Sequence, residues 1–409
     1  MPEPRDKAGR RLDIGLLTHS VNPRGGVVHT LELADALHAL GHRVTVFAPA
    51  LAGQAMFRTT RCEIQLVPVH ERAASTVEMV ATRRAAFVRH LSTLLRVRRF
   101  DVLHAQDAIG GNALADLAGQ GEIAGFVRTV HHLDHFDDPQ LATWQERAFT
   151  QASQVLCVSR AWRDHLQAEH GVASRLVGNG VDLARYARTP DASDDRVAAR
   201  YGLRGGGPVF LAVGGIEERK NTLRMLEAFL AFRAGAPGAR LVIAGGASLL
   251  DHDDHARRFH ALLAASGAAG SVTIAGTIPD ADMPALFRAA DVLLMASLRE
   301  GFGLVVLEAL ASGTPAVVSR LAPFTEHLST DERIDHCCWA DPASTASIAQ
   351  AMARACDPAH ALSLAFGPPA VCARFSWAAS AASHDAIYRA HRALARGCHP
   401  PAPALAATR

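Results

Sequence analysis

Short apolar runs alternate with longer amphipathic segments along most of this chain. Five runs in the first half have the length and composition of buried strands: LDIGLLTHS, RVTVFAP, DVLHAQ, GFVRTVHH and SQVLCVS. The segments between them, such as HTLELADALHALGH, have the apolar spacing of helices. Strands separated by helices are typical of βαβ units that build a parallel sheet. The pattern therefore predicts an α/β protein.

The pattern starts a second time after VGNGVDLARY and the polar segment DASDDR. Five further strand candidates follow: GPVFLAVGG, ARLVIAGG, SVTIAGT, DVLLMAS and TPAVVS. Since 409 residues exceed one ordinary core, we expect two doubly wound domains, residues 1–180 and 181–376. Ligands of such domains bind beyond the carboxyl ends of the strands. A last helix is expected over 377–398, followed by a disordered, proline-rich tail over 399–409.

Composition excludes several classes of protein. A net charge of +2, with 49% apolar and 20% charged residues, is typical of a globular protein and gives no indication of nucleic-acid binding. The seven cysteines are scattered and form no CxxC pair, which favours free thiols in a reducing cytoplasm. No apolar run approaches the roughly 20 residues of a membrane-spanning helix. We therefore expect a cytoplasmic protein.

Two glycine-containing strand-to-helix turns are candidates for binding an anion, because the first N–H groups of a helix lack partners. One is NPRGGVVHTLEL, with Gly25 and Gly26, for which a simple tight turn is an equal alternative. The other is VGGIEERKNTLRMLEAF, where Gly214 ends a strand and Arg219 and Lys220 precede a helix. Two cations beside such a turn suit a diphosphate better than a solvated charge pair.

A third candidate is EGFGLVVLEAL, residues 300–310. Gly301 and Gly303 expose backbone N–H groups at the start of a helix, while Glu300 and Glu308 supply carboxylates that accept hydrogen bonds from vicinal hydroxyl groups. Glu300 alone could simply complement the helix dipole. That alternative leaves unexplained Glu308, which lies among apolar residues of the helix.

These segments resemble the retaining glycosyltransferases of the GT-B fold, family 4. The resemblance rests on GGVVHTLELADALHALGHRVTVFAP, on the VGNGVD crossover, on VGGIEERKNTLRMLEAF and on the segment with E-x7-E at Glu300 and Glu308, in this order along the chain. Its most specific part is AGTIPDADMPALFRAADVLLMASLREGFGLVVLEALASGTPAVVS. It implies two Rossmann-like domains facing a central cleft, with the C-terminal helix crossing back onto the N-terminal domain.

The resemblance also implies residue roles. Glu300 contacts the donor sugar, Glu308 the ribose of the nucleotide, and His131 the sugar near its anomeric carbon. Gly26 and Lys220 hold the diphosphate, with Gly25, Gly214 and Arg219 beside them. The nucleotide base lies near Gly276 and Thr277. The remaining donor contacts come from the backbone of Gly301, Phe302, Gly303 and Leu304.

Two positions depart from the family. Gly215 stands where an arginine is common, and Arg219 is the candidate to replace its charge. Gly178 stands where the crossover usually has proline, which affects the stiffness of the crossover rather than the chemistry.

Two clusters of histidines and acids are candidates for a metal site. The first, RTVHHLDHFDDP, contains His131, His132 and His135; donor contact is the leading hypothesis, followed by solvated histidines and then a metal. The second, LLDHDDHARRFH, contains an Asp-x-Asp pattern at Asp251 and Asp253, which we assign to a surface helix or its preceding loop. We therefore expect no metal and no cofactor.

Residues 81–100, ATRRAAFVRHLSTLLRVRRF, contain six arginines and no acid. Phe87, Val88, Leu91, Leu94 and Leu95 fall on one helical face. That face predicts either packing on the N-terminal sheet, which is the commoner case, or weak peripheral contact with the inner face of a membrane. The arginines could also bind an acidic or phosphorylated acceptor.

The sequence thus predicts an enzyme that moves a hexose from a nucleotide diphosphate sugar to an acceptor hydroxyl, with retention of configuration. The resemblance implies that the departing phosphate takes the acceptor's proton, so that neither a separate base nor a metal is needed. Two alternatives stay open: a non-catalytic nucleotide-sugar-binding protein, and an epimerase or hydrolase of the same fold. A dehydrogenase is disfavoured because no G-x-G-x-x-G follows a strand.

Overall fold

The computed structural model describes residues 10–70, 73–246, 253–328 and 336–397. These residues form two compact units. Unit 1 contains the described residues up to Cys157, then Leu166–Val177, and those from Ala378 onward. Unit 2 contains Val158–His165 and Gly178–Trp377. The predicted tail over 399–409 lies outside the described residues.

Unit 1 is built on a seven-stranded sheet in the order β3-β2-β1-β4-β5-β6-β7, and every neighbouring pair is parallel. Its strands are β1 Asp13–Leu17, β2 Arg43–Ala50, β3 Glu63–Pro68, β4 Val102–Ala105, β5 Val127–Val130, β6 Gln154–Cys157 and β7 Arg175–Leu176. The helices between them are α1 Gly25–Ala39, α2 Thr76–Leu95, α3 Ala108–Gly119, α4 Pro139–Thr150 and α5 Arg160–His170.

Unit 2 is built on a six-stranded parallel sheet in the order β10-β9-β8-β11-β12-β13. Its strands are β8 Val209–Val213, β9 Arg240–Ala244, β10 Val272–Gly276, β11 Val292–Met295, β12 Ala316–Ser319 and β13 Cys337–Ala340. Its helices are α6 Ser193–Arg200, α7 Thr222–Arg233, α8 Asp253–Ala265, α9 Met283–Ala289, α10 Leu304–Ala311, α11 Phe324–His327, α12 Thr345–Ala355, α13 Pro358–Ser363 and α14 Ala370–Arg374.

The inner strands of both sheets are buried on both faces because helices cover each side. In unit 1, one face of β1 packs with α1 around Ile14, Leu16 and Leu31, and the other packs with α2 and α3 around Leu17 and Phe87. Continuous apolar strands of this kind are what parallel sheets require. The predicted α/β class with two doubly wound sheets is confirmed.

The last helix, α15, spans Trp377–Gly397. Its first residue belongs to unit 2 and the others to unit 1. Ala381, Ile387 and Tyr388 are buried in the same apolar cluster as Ile14 and Leu16 of β1. The helix therefore completes the core on one face of the unit 1 sheet.

Three strands were not predicted from the sequence: β3, β7 and β13. In β3 only Val67 is buried, so the strand lacks the apolar run that identifies the inner strands. Strand β7 has two exposed residues, and β13 is a four-residue edge strand that begins with two cysteines. An edge strand has a neighbouring strand on one side only, so it is less covered than a central strand and its sequence can be less apolar.

The basic segment 81–100 is helical only up to Leu95, within α2. Its apolar face is used inside unit 1: Phe87 and Leu91 are fully buried, and Val88, Leu94 and Leu95 pack against the same cluster. The packing alternative is therefore the one found. In the described part of the chain, no helix combines the length and apolarity needed to cross a bilayer.

Gly178, the glycine at the crossover, has φ of +64°. Proline is restricted to φ near −65°. A proline, which the family usually has here, could therefore not adopt the backbone conformation of Gly178.

Candidate functional site

Both sheets reverse their strand order once, between β1 and β4 in unit 1 and between β8 and β11 in unit 2. In doubly wound sheets the crevice at this reversal, beyond the carboxyl ends of the strands, is where ligands bind. Gly214 follows β8, and Glu300 lies five residues after the end of β11. The reversal in unit 2 therefore brings together the two motifs with which the sequence predicts donor binding.

Lys220 and Glu300 form an ion pair at this point, with 2.7 Å between Lys220 Nζ and Glu300 Oε2. Both side chains are largely buried, at 13% and 14% exposed. The aliphatic part of Lys220 crosses close to Gly214, where a Cβ atom would lie 3.1 Å from Lys220 Cγ and Cε. A glycine is needed there to admit the lysine.

Arg219 lies beside the same pair. Its Nη1 is 3.6 Å from Glu300 Oε1, and its Nη2 is 3.5 Å from Glu217 Oε2. Two cations and two carboxylates thus share the end of β8. Gly215 cannot carry the family's arginine without a backbone shift, because a Cβ there would lie 2.6 Å from the carbonyl oxygen of Gly246. Arg219 is the cation that the structure puts in this neighbourhood instead.

Asn221 holds this loop in shape, which the sequence did not predict. It has φ of +62° and its Nδ2 donates to the carbonyl oxygens of Ala296 and Pro342, at 2.9 and 2.8 Å. Asparagine tolerates the left-handed region better than most residues. Helix α7 therefore starts at Thr222, with Asn221 as its N-cap, and Lys220 lies next to this N-terminus. The sequence feature that could have indicated this loop conformation is an asparagine placed between a lysine and the start of a helix.

Helix α10 begins at Leu304, and Glu308 is buried within it at 8% exposed. The prediction of a glutamate inside a buried helix is confirmed. Gly303 precedes the helix with φ of +86°, and Phe324 packs against it so tightly that a Cβ would lie 2.3 Å from Phe324 Cε1. The ring of Phe302 stacks on His327 at 4.5 Å. That ring is packed inside the unit, which leaves the backbone of Phe302 as the part able to meet a ligand.

Gly276 and Thr277 lie at the end of β10, two strands away from β8. Gly245, which follows β9, donates its backbone N–H to the carbonyl oxygen of Gly276 at 2.7 Å. Thr277 Oγ1 lies against Gly246, where a Cβ would be 2.3 Å away. These residues therefore continue the same edge of the sheet beyond Gly214.

Trp162 is a second residue that sequence analysis missed. It lies in the short part of unit 2 that precedes Leu166, and its Nε1 donates to the carbonyl oxygen of Glu300 at 3.1 Å. The two residues are 138 positions apart, and nothing in the sequence links them. The indole fixes the backbone immediately before Gly301.

In unit 1 the predicted residues Gly25, Gly26 and His131 also come together. Helix α1 begins at Gly25, and a Cβ on Gly26 would lie 3.9 Å from His131 Cδ2. His131 follows β5, and the ring of His29 packs edge-on against it with centroids 4.6 Å apart. The start of α1 therefore lies close to the imidazole of His131.

His131 Nε2 lies 3.1 Å from Gln106 Oε1. Gln106 in turn contacts His104, whose two ring nitrogens bond to Tyr388 Oη at 2.6 Å and Thr129 Oγ1 at 2.8 Å. Burial lowers the pKa of His131 well below its usual value, and the charges of His29 and Arg128 lower it further. His131 is therefore neutral near pH 7. Gln106 was not singled out in the sequence, although it directly follows β4.

The other histidines of this loop are dispersed. His132 lies 3.4 Å from Asp134, and His135 is solvent-exposed beside Asp137. Within residues 10–70, 73–246, 253–328 and 336–397, no group of three or more His, Cys, Asp or Glu side chains is arranged to hold a metal ion. Asp251 lies outside the described residues, and Asp253 is the exposed first residue of α8.

Two family models match the chain. The model described as Glycosyltransferase Family 4 matches residues 23–185, and Glycosyl transferases group 1 matches residues 193–359. Together they cover most of both units, including every residue of the predicted donor site.

Relatives with known names support the same family. A GDP-mannose-dependent alpha-(1-6)-phosphatidylinositol monomannoside mannosyltransferase of Mycolicibacterium smegmatis is 30% identical over 331 residues, covering 75% of this chain and 80% of the relative. A D-inositol 3-phosphate glycosyltransferase of Acidothermus cellulolyticus is 30% identical over 308 residues, covering 71% and 67%.

Solved structures share the fold at lower identity. Sucrose-phosphate synthase from Thermosynechococcus elongatus superposes with a TM-score of 0.76 at 22% identity, covering 94% of this chain and 100% of the other. Anabaena HepE in complex with UDP and glucose gives a TM-score of 0.74 at 17% identity, with coverages of 93% and 100%. The chain is a glycosyltransferase and belongs to glycosyltransferase family 4, with the GT-B fold.

Proposed function

We propose that this glycosyltransferase moves a hexose from a nucleoside diphosphate sugar to a hydroxyl group of its acceptor, with retention of configuration and without a metal ion. The observation that carries the proposal is the group at the reversal of the unit 2 sheet. There Lys220 and Arg219 both lie close to the carboxylate of Glu300, which also accepts a hydrogen bond from the backbone N–H of Gly301, three residues before α10. The names of the relatives, which include a GDP-mannose-dependent enzyme, support a nucleotide-sugar donor.

The roles follow from the chemistry of each group. Lys220 and Arg219 carry positive charge next to the position proposed for the diphosphate, where negative charge develops as the sugar leaves. The backbone N–H groups from Gly301 to Leu304 add the positive end of α10. Glu300, an acceptor of hydrogen bonds, orders the sugar hydroxyls, and Glu308 orders the ribose.

Transfer needs one proton to move. The bond between the anomeric carbon and the leaving phosphate oxygen breaks while the acceptor oxygen bonds to the same face of that carbon. The departing phosphate oxygen accepts the acceptor's hydroxyl proton. His131 is neutral and half-buried, so we propose that it contacts the sugar rather than acting as an acid. Gly25 and Gly26 stay predicted diphosphate contacts, and Gly276 and Thr277 stay predicted base contacts.

Contact with a membrane through residues 81–100 stays a prediction. Since the apolar face of α2 packs inside unit 1, only its arginines are left for a lipid surface. A cytoplasmic location also stays a prediction; the six cysteines within the described residues are free thiols.

Donor binding tests the proposal. UDP, GDP, ADP and their hexoses are first screened by thermal shift, and the best ligand is then titrated calorimetrically into Arg219→Ala and Lys220→Ala. Because charge-assisted hydrogen bonds contribute about 1.5–3 kcal/mol, we expect each affinity to fall tenfold or more. Arg299→Ala, a neighbouring exposed cation, is the matched control and should bind normally.

Unchanged affinity in both variants would remove the diphosphate assignment. The best donor then enters turnover assays, where the product should keep the anomeric configuration of the donor and EDTA should leave the rate unchanged. Donor consumption that needs no acceptor would favour the epimerase or hydrolase alternative.

A further inference from the structure

Arg128, on strand β5 of unit 1, is a buried cation without an evident structural role. It is 4% exposed, and its Nε and Nη1 atoms are buried with no hydrogen-bond partner among the residues that the structure describes. Burial lowers the pKa of its guanidinium to about 10, so it is still charged at neutral pH. Burying a charged group whose N–H donors lack hydrogen-bond partners is costly for a folded protein.

Other buried or half-buried arginines of unit 1 are well paired. Arg84 and Arg147 both bond to Asp116, at 2.6 and 2.8 Å. Arg98 bonds to Asp13, Glu63 and Thr45 at 2.8–2.9 Å. Each of these three arginines thus has at least one carboxylate of unit 1 as a hydrogen-bond partner. Arg128 differs from them in having two buried guanidinium nitrogens without a partner.

The geometry puts Arg128 next to the reversal of the unit 1 sheet. Arg128 is in register with Ala105 of β4, and Ala105 with Leu17 of β1, so the three side chains share one face. His19 and Asp107 follow two residues after Leu17 and Ala105, on that same face because side chains alternate along a strand. His19 Nδ1 indeed lies 3.8 Å from Asp107 Oδ2.

Arg83 reaches this place from helix α2. Its Nη1 donates to the carbonyl oxygen of His19 at 2.9 Å. The charge of Asp107 acts on both Arg83 and Arg128. Two arginines thus share one carboxylate, and that carboxylate already caps α3 by accepting from the backbone N–H of Gly110 at 2.8 Å. The local charge is positive, and the N-terminus of the twelve-residue helix α3 adds to it.

This position matters because of His131. His131 follows Arg128 by three residues, just beyond the end of β5, so both residues belong to the carboxyl-end part of this strand, although their side chains start from opposite faces of the sheet. An acceptor whose hydroxyl reacts near His131 would extend toward the end of β1 and β4, where ligands of doubly wound sheets bind. A doubly charged anion with three equivalent oxygens matches two guanidinium groups better than a single carboxylate does.

We propose that Arg128 and Arg83 bind a phosphate monoester carried by the acceptor. The proposal rests on the proposed transfer to an acceptor hydroxyl and names the chemical class of that acceptor. The phosphate accepts hydrogen bonds from both guanidinium groups, and the acceptor hydroxyl is thereby directed toward His131.

Inorganic phosphate is the probe. It is titrated at constant ionic strength into the full chain, with the donor-side anion site occupied by the nucleoside diphosphate identified in the screen above. We expect saturable binding that weakens at least tenfold in Arg128→Gln and several-fold in Arg83→Gln. Arg89→Gln, an exposed arginine on the same helix as Arg83, should bind phosphate normally. Acetate should bind more weakly than phosphate to the wild type.

Either of two outcomes overturns the proposal. The first is that phosphate shows no saturable binding to the wild type, and the second is that Arg128→Gln and Arg83→Gln both bind phosphate as tightly as the wild type does. A melting temperature several degrees lower in Arg128→Gln, with phosphate affinity unchanged, would likewise make Arg128 a structural residue. If Arg128→Gln does not fold, the proposal is tested with Arg83→Gln and Arg128→Lys. Lysine keeps the positive charge but lacks the planar guanidinium that donates two parallel hydrogen bonds, so the phosphate affinity of Arg128→Lys should lie between those of the wild type and a variant without the charge.

Competition then identifies the source of the phosphate. Displacement of phosphate by glucose 6-phosphate indicates a soluble acceptor, and displacement by phosphatidic acid vesicles indicates a lipid; either result supports the site. The vesicle arm also tests the membrane contact predicted for residues 81–100. The two proposals can fail separately. If the proposed glycosyl transfer is wrong, the protein should not bind nucleotides, whereas if only the phosphate site is wrong, nucleotide binding should be intact.

Discussion

His131 carries its proton on Nε2 when Gln106 presents its amide oxygen to that atom, as it does at 3.1 Å. Gln106 is 2% exposed, and its amide nitrogen lies 3.3 Å from His104 Nδ1. His104 is itself fixed by Tyr388 of α15. A buried chain of side chains therefore sets the tautomer of His131, and leaves Nδ1 as the nitrogen that can accept a hydrogen bond from a ligand.

Replacing Gln106 should change the tautomer of the His131 imidazole without unfolding the protein. Gln106→Met keeps the length of the side chain but removes the acceptor. We expect a mixture of His131 tautomers in ¹⁵N NMR and a loss of about fivefold in kcat/KM, since a neutral hydrogen bond contributes about 1 kcal/mol. Gln151→Met, at an exposed position, is the control. Unchanged His131 ring shifts in Gln106→Met would show that Gln106 does not set the tautomer.

The sequence predicted the members of the unit 2 group but not how they pair. Glu300 and Lys220 were assigned to the sugar and the diphosphate separately, and the structure joins them in one ion pair across 80 positions of the chain. Such a pairing depends on the strand order of the sheet, which no local pattern contains. Arg128 was missed for a related reason: within GFVRTVHH it looks like any charged residue of a strand, and only the missing partners distinguish it.

At the scale of elements, helix α10 depends on the glycine before it. Gly303 has φ of +86°, and its Cα touches the ring of Phe324 so closely that no side chain fits. Gly303→Ala combines left-handed backbone strain of about 1–2 kcal/mol with overpacking of about 1–3 kcal/mol. We expect the free energy of unfolding, measured in urea, to fall by about 2–4 kcal/mol, and donor affinity to fall as the helix start moves.

Gly270→Ala is the control for this substitution. Its φ is outside the left-handed region, and an added Cβ would meet nothing within 4 Å. Equal stability of the two variants would mean that the Phe324 contact relaxes at no cost.

The elements themselves were largely predictable where they are buried. Nine of the ten apolar runs of the sequence correspond to inner strands such as β1, β8 and β11, because burial on both faces demands continuous apolar residues, and the tenth is the edge strand β10. The edge strands β3 and β7 were missed because their exposed positions carry polar residues that local patterns assign to loops. The edge strand β13 was also missed, although three of its four residues are buried. The left-handed backbone of Gly178, at the predicted crossover, could not be inferred from a single glycine.

For the whole molecule, buried histidines make stability depend on pH. In unit 1, burial lowers the pKa of His104 and His131 well below 6.5 and the pKa of His384 to about 4. In unit 2, burial lowers the pKa of His327 to about 4, and the charge of Arg374 contributes to the shift. These groups are neutral in the folded protein but titrate near 6.5 when unfolded. Below pH 6.5 the unfolded chain therefore binds more protons than the folded one, and acid favours unfolding.

The loss should begin near pH 6.5 and continue down to about pH 4. Each such histidine contributes up to about 1.4 kcal/mol per pH unit in this window. Urea unfolding between pH 7.5 and 5 measures the slope before most carboxylates are protonated. In His384→Gln, the free energy of unfolding should change less steeply with pH, by up to about 1.4 kcal/mol per pH unit. The reason is that Nδ1 of His384 bonds to the Ser380 carbonyl and the ring is fully buried, so this histidine stays neutral in the folded protein. His135→Gln, at an exposed site, should keep the wild-type slope. A wild-type free energy of unfolding that stays constant from pH 7.5 to 5 would show that these imidazoles are accessible to protons in the folded state.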